Sequence, residues 1–144
     1  VNNLQFLSKI TERAVFDQLY SHINSNNLFP ALQSAYRKFH STETALLRVT
    51  NDILLSMNKQ HVSLLVMLDL SAAFDTVDHS VLLHRLETTY GVTGYALQWI
   101  SSYLQNRSQR VAIKPDGLSD KQHLPFGLPQ GSCLGPLLFS IYAC

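Results

Sequence analysis

The chain has 144 residues, enough for one domain whose folding removes about 70% of the surface an unfolded chain exposes. Its 46% hydrophobic and 15% charged content excludes an intrinsically disordered segment, which would carry fewer apolar residues and more net charge. A net charge of +1 excludes the strongly basic surface of an autonomous nucleic-acid binder, so any such binding is local or relies on further parts.

The only cysteines, Cys133 and Cys144, fit no zinc spacing and no C-x-x-C pair, which predicts a reducing compartment and no disulfide. The longest apolar stretch, Leu64 to Leu68, is far too short to span a bilayer. No signal-peptide pattern is present. The chain starts with Val1 and stops at Cys144 directly after an apolar run, and both ends read as cuts in a longer protein.

In chain order, Leu4 to Ile23 is expected to be a helix, with Phe6, Ile10, Ala14 or Val15, and Leu19 inward and Lys9, Glu12, Arg13 and Asp17 between them. The polar stretch Asn24 to Asn27 ends it, and Pro30 prevents resumption. Gln33 to Thr42 mixes Arg37, Lys38 and His40 with Tyr36 and Phe39 and reads as a loop. A second helix is expected over Thr42 to Met57, with Leu46, Val49, Ile53 and Met57 as its apolar stripe. Val62 to Leu70 is a continuous apolar run that reads as a strand buried on both faces. Asp69 sits at its end, where a charge is costly unless paired or bound to a metal.

The segment SAAFDTVDHS follows, then a helix from about Ser80 to Tyr90 stopped by Gly91, with Asp78 or Ser80 as N-cap. Another helix is expected from about Tyr95 to Gln105, with Leu97, Ile100 and Leu104 inward. Arg110 to Lys114 and Leu118 to Leu124 read as a hairpin around Pro115-Asp116-Gly117. A Gly/Pro-rich loop then opens into an apolar helix at about Leu134. This order of elements predicts an α+β domain.

Three segments carry a resemblance to a known family. LLVMLDLSAAFDTVDH (Leu64 to His79) resembles motif A of reverse transcriptases, GLPQGSCLGPLLFSIY (Gly127 to Tyr142) resembles their motif B, and QSAYRKFHSTETAL (Gln33 to Leu46) resembles their upstream fingers motif. The wording D-L-S-x-A-F-D-x-V-x-H with P-Q-G-S-x-L-G-P is most similar to non-LTR, LINE-type retrotransposons of the chicken-repeat and jockey-like branch. Group II intron and cellular reverse transcriptases share the chemistry and differ in biology. The resemblance implies a partial right-hand polymerase with an incomplete antiparallel palm sheet packed with helices. About 1–61 would be the fingers side, and about 62–144 would be palm motifs A and B with the intervening helices and hairpin.

The implied chemistry is nucleotidyl transfer, in which two metal ions about 3.5–4 Å apart hold the attacking and leaving oxygens. Magnesium, with manganese as a substitute, suits carboxylate oxygens. Asp69 is the implied metal ligand and catalytic carboxylate, with the Leu70 backbone carbonyl as a second contact; on position alone Asp69 could equally cap a turn or pair with an arginine. Asp75 and Asp78 are read instead as turn and cap residues. The resemblance assigns Ala73, Phe74, Gln130 and Gly131 to the incoming nucleotide: Phe74 packs under the sugar and excludes a ribose 2′-hydroxyl, or else is simply core, and Gln130 and Gly131 approach the nucleotide, or else form a turn with a helix cap at Ser132. Arg37 would contact the triphosphate and Lys38 the template, although Ala35 stands where the family has Gly. Arg107 and Arg110 could line the duplex path and are surface charges otherwise. His79 is expected to be structural.

The family's remaining metal carboxylates lie in an Ala-Asp-Asp hairpin, and no Asp-Asp pair occurs in this sequence. The Arg-Pro-Ile run that opens the family's first fingers motif is also lacking near Val1 to Leu7. The expected function is therefore a fragment of an RNA-directed DNA polymerase, inactive alone, with a catalytically inactive remnant or a domesticated nucleic-acid-binding module as the alternative. Implied partners are an RNA template, a DNA primer and deoxynucleoside triphosphates, with no membrane. The family's lifestyle implies the nucleus. Nothing in the residues reads out an oligomeric state.

Overall fold

The computed structural model describes residues 6–113 and 117–144. The expected helix start at Leu4, the hairpin tip at Lys114, Pro115 and Asp116, and residues 1–5 of the first fingers stretch lie outside them. Five helices form: α1 (Phe6–Ser25), α2 (Thr42–Asn58), α3 (His79–Thr88), α4 (Gly94–Leu104) and α5 (Gly135–Ala143). Four two-residue strands complete the described elements: β1 (Ser108–Gln109), β2 (Ala112–Ile113), β3 (Gly117–Leu118) and β4 (Gln122–His123). The α+β class holds.

The chain divides into two compact units, one made of residues up to Leu28 together with Ala72–Cys144, the other Phe29–Ser71. This is a division by packing, and it differs from the division by role at residue 61. In the larger unit α3 packs against both α4 and α5. Leu82 and Leu86 of α3, Leu104 of α4, and Leu137 and Leu138 of α5 are fully buried, as is Leu134 just before α5. Each buried leucine contributes about 1.5–3 kcal/mol relative to exposure. The last turns of α1 add Leu19, Tyr20 and Ile23 to this core.

Local sequence explains the helix ends. Asp78 caps α3: its Oδ1 accepts from the Ser80 and Val81 amides at 2.8 and 3.1 Å and from the Ser80 hydroxyl at 2.6 Å. These bonds, the Ser80 hydroxyl first, hold its carboxyl below the ordinary value of 3.8. Past the end of α3 the chain turns through Gly91 at φ +66°, and the Val92 amide bonds back to the Leu86 carbonyl at 2.9 Å. In α4 Ile100 and Leu104 are buried as expected and Leu97 is half-buried. The hairpin is an antiparallel ladder. β1 pairs with β4 in the register Ser108 to His123, and β2 with β3 in the register Ala112 to Leu118. It starts earlier than expected, and between the two ladders Ser119 bridges through its amide and hydroxyl to Val111.

Three expectations need correction. The α1 stripe is rotated: Phe6 is 76% exposed and Ile10 52%, while Glu12 is 1% exposed. A polar side chain with hydrogen-bond partners has taken the inward place that an apolar pattern would fill. In the smaller unit α2 forms with a capping box between Ser41 and Thr44, yet none of its residues is buried, so Leu46, Val49, Ile53 and Met57 do not face a core there. Caps and propensity bias these residues towards a helix locally, whereas burial needs a partner surface.

The largest departure is at residues 62–70, which form no strand and are exposed throughout, Val62 at 98% and Leu68 at 90%. The antiparallel pairing among the described residues is confined to the β1–β4 and β2–β3 ladders, and residues 62–70 take no part in it. A strand is held by ladder bonds to a neighbour and, when apolar on both faces, by a layer on each side. None of the described residues offers residues 62–70 such a neighbour.

Candidate active site

In the larger unit, the end of motif A and the start of motif B are joined through main chain. The Gly127 amide donates to the Val77 carbonyl and the Leu128 amide to the Phe74 carbonyl, both at 2.8 Å, and Asp78 and Phe126 form an antiparallel bridge. The approach is close enough to exclude a side chain. A Cβ on Gly127 would lie 2.9 Å from the Asp75 carbonyl oxygen and 3.0 Å from its Cα, and Gly127 sits at φ +86°. The Gly127 carbonyl is held from the other side, accepting from His79 Nε2 at 2.8 Å and from Arg107 Nη1 at 3.2 Å. His79 is structural, as expected, and its ring must carry the proton on Nε2 to serve a carbonyl.

This zipper builds a recess of about 310 Å³ lined by Ala72, Ala73, Phe74, Asp75, Pro129, Gln130, Gly131, Ser132, Gly135 and Pro136. Four residues assigned to a nucleotide on resemblance, Ala73, Phe74, Gln130 and Gly131, thus line one cavity. Phe74 is half-buried and packs on Phe139 of α5, ring centroids 4.9 Å apart, so it serves the core and the recess together. Gly131 sits at φ +78°, a conformation that favours glycine. Gln130 is exposed and donates from Nε2 to Asp75 Oδ1 at 3.4 Å. Asp75 anchors its own turn through its amide to the Ala72 carbonyl at 2.9 Å.

A second, more polar cleft of about 500 Å³ shares Asp75 and Gln130 with the recess and adds Arg107, Gln109 and Arg110. Arg107 is half-buried rather than a plain surface charge, and burial draws its guanidinium below the ordinary value. Arg110 is exposed at the cleft. A further cleft, about 560 Å³, lies elsewhere against α1 and α4, is lined by Val15, Leu19, Tyr95, Trp99 and Ile100 among others, and holds none of the candidate residues. Size alone does not make it the site, because specific recognition needs convergent polar groups.

Sequence reasoning missed Glu12 and Tyr103. Ser132 Oγ donates to Glu12 Oε2 at 2.7 Å, and the Tyr103 hydroxyl donates to Ser132 Oγ at 2.7 Å. Ser132 Oγ also accepts from the Leu134 and Gly135 amides at 3.0 and 2.9 Å, so it braces the chain entering α5 while lining the recess. Burial raises the Tyr103 phenol, the Ser132 bond lowers it, and the Glu12 charge raises it again, for a net rise. Burial first and then Glu12 raise the Cys133 thiol above its ordinary value. Cys133 is a free thiol.

The remaining candidates lie in the smaller unit. Arg37 is half-buried: its Nη1 donates to the Pro30 and Gln33 carbonyls at 3.4 and 3.5 Å, and its guanidinium lies 5.4 Å from the Phe29 ring centre. Lys38 is exposed in the same loop. Asp69 and Leu70 lie in the exposed segment without a strand. The Asp69 carboxylate and the Leu70 carbonyl are hard oxygen donors of the kind magnesium takes. No group of three or more His, Cys, Asp or Glu that could hold a metal ion occurs among the described residues. No described helix is long and apolar enough to cross a membrane.

Residues 1–143 match the family model for reverse transcriptase (RNA-dependent DNA polymerase), and the chain belongs to that family. It is 33% identical over 141 residues to the RNA-directed DNA polymerase from mobile element jockey of Drosophila melanogaster, covering 97% of this chain. It is 31% identical over 140 residues to the corresponding jockey polymerase of Drosophila funebris, covering 96% of the chain. A third relative, 30% identical over 142 residues and 99% of the chain, is described as a probable RNA-directed DNA polymerase from transposon BS of Drosophila melanogaster. The chain spans about 15% of the length of each of these relatives.

Proposed function

We propose that this chain is the fingers–palm portion, about 1–61 and 62–144, of a right-hand RNA-directed DNA polymerase from a non-LTR retrotransposon. Its recess receives the incoming deoxynucleoside triphosphate. One observation carries the reading: Ala73, Phe74, Gln130 and Gly131, drawn from two distant segments, line a single cavity. In this reading Gln130 meets the nucleotide near its sugar and Phe74 stands where a ribose 2′-hydroxyl would go. Arg107 and Arg110 offer cations to the phosphates of template and primer along the polar cleft, Arg110 with its charge in solvent. The family resemblance of the loop Gln33 to Thr42 supports Arg37 as a triphosphate contact and Lys38 as a template contact.

Asp69 and the Leu70 carbonyl would hold magnesium or manganese together with carboxylates from the rest of the polymerase. The cation, when bound, supplies charge stabilisation to the transferring phosphoryl group. The site of action is the nucleus, where such an element copies its RNA.

Single-nucleotide extension of a DNA primer on an RNA template by the complete polymerase, with and without Asp69→Asn, tests the reading. Extension should fall at least about a hundredfold, as expected when preorganised charge stabilisation is lost. Extension indifferent to Asp69→Asn would refute the assignment. The isolated chain, with no Asp-Asp pair and no metal cluster among its described residues, should give no extension above background.

A further inference from the structure

Glu12 is the only charged residue buried in the core among the described residues, 1% exposed on a helix whose neighbouring positions offer apolar alternatives. A buried carboxylate is costly unless its oxygens are satisfied. Oε2 accepts from the Ser132 hydroxyl at 2.7 Å and the Cys133 amide at 3.2 Å, and Oε1 lies 3.5 Å from the Ser8 hydroxyl. The Cys133 amide is just ahead of the α5 N-terminus, where the helix dipole also favours negative charge.

Ser132 has one proton and three donors already pointing at it, from Tyr103, Leu134 and Gly135. Its proton goes to Glu12. Glu12 thereby completes a junction of α1, α4 and the start of α5.

This junction sits directly after Gly131. The segment 129–131 is fixed at its near end by the main-chain bonds of Gly127 and Leu128 to motif A. At its far end the turn closes through the Ser132 amide to the Pro129 carbonyl at 3.3 Å, and the Ser132 side chain is held by Glu12. The near end depends on backbone alone; the far end adds the Ser132 side chain, which accepts from Tyr103 and from the Leu134 and Gly135 amides and donates its one proton to the Glu12 carboxylate from a distant helix. We propose that Glu12 is a positioning residue for nucleotide binding: by latching Ser132 it holds Gln130 and Gly131 in the geometry of the recess. This rests on the reading of the recess as the nucleotide site.

The test uses the complete polymerase with Glu12→Ala, Glu12→Gln, Ser132→Ala and the Glu12→Ala/Ser132→Ala double variant. Steady-state extension gives kcat and KM for the deoxynucleoside triphosphate, and amide exchange is followed over residues 127–133. Glu12→Ala and Ser132→Ala should each raise KM about tenfold, the size expected for a lost charge-assisted hydrogen bond, with kcat within about twofold. The double variant should be no worse than either alone. Glu12→Gln keeps an oxygen for Ser132 and should restore both KM and slow exchange.

An unchanged KM in Ser132→Ala and Glu12→Ala, or effects that multiply in the double variant, would overturn the proposal. If Glu12→Ala fails to fold, Ser132→Ala and Glu12→Gln decide it on the same terms. A wild-type polymerase without nucleotide-dependent extension would sink the proposed function instead. Exchange over residues 127–133 would still judge the latch, and unchanged exchange in Ser132→Ala would overturn it.

Discussion

Replacing Gly127 by alanine tests the main-chain zipper between motifs A and B, and Gly91 provides an internal control. Both glycines have positive φ, +86° and +66°. Their surroundings differ: an added Cβ meets Asp75 backbone at 2.9–3.2 Å from Gly127 and nothing within 4 Å from Gly91. Gly91→Ala should therefore cost only the left-handed backbone conformation, about 1 kcal/mol. Gly127→Ala should cost that conformation plus an overpacking penalty of about 1–3 kcal/mol, roughly 3 kcal/mol in all, because backbone cannot rotate away as a side chain can. For a chain of this size the melting point should fall by about 10 °C for Gly127→Ala and about 3–4 °C for Gly91→Ala, read by circular dichroism. Extension by the complete polymerase should suffer in the first variant and not in the second. If Gly127→Ala melts no lower than Gly91→Ala, the close approach of the two motifs is not real and the recess loses its frame.

Three other expectations are open to direct measurement. Phe74→Val in the complete polymerase should let ribonucleotides compete in single-nucleotide incorporation, and unchanged selectivity would show that Phe74 serves only its packing on Phe139. Arg110→Ala should weaken binding to all nucleic-acid sequences alike and reduce the salt dependence of binding by about one phosphate contact; an unchanged salt slope would remove it from the interface. Asp78 has a folded carboxyl below its ordinary value of 3.8, so its contribution to stability is full above that value and is lost as pH falls through the lower folded one. Asp78→Asn, which keeps a capping side chain without the charge, should flatten the acid limb of the stability profile, and an identical acid limb would count against the cap's electrostatic role.

Where structure is decided locally, the residues foretold it. The approximate bounds of α2, α3 and α4, the Asp78 cap, the turn at Gly91 and the existence of the hairpin follow from caps, turn glycines and periodicity, while the hairpin's start and register do not. Where structure is decided by partners, they did not. Residues 62–70 have the composition of a buried strand, and composition cannot supply the neighbour a strand requires. Leu46 and Met57 make a helical stripe, and a stripe says nothing of what covers it. Glu12 was placed among the solvent-facing charges of α1, because its partners Ser132 and Cys133 lie at the other end of the chain. Its burial is a long-range fact without a local signal. The recess was half legible: Phe74 and Gln130 were named through the family, while the contact of Gly127 with Asp75 needed coordinates.

The zipper has an implication for how such a site can diversify. Its two bonds, Gly127 to Val77 and Leu128 to Phe74, run between main-chain atoms, so they are indifferent to most side chains around them. Substitutions at Ala73, Phe74 or Gln130 can change the fit and polarity of the recess while leaving its walls where they are. The socket can thus stay in place while its lining varies, with Gly127 as the position least free to change.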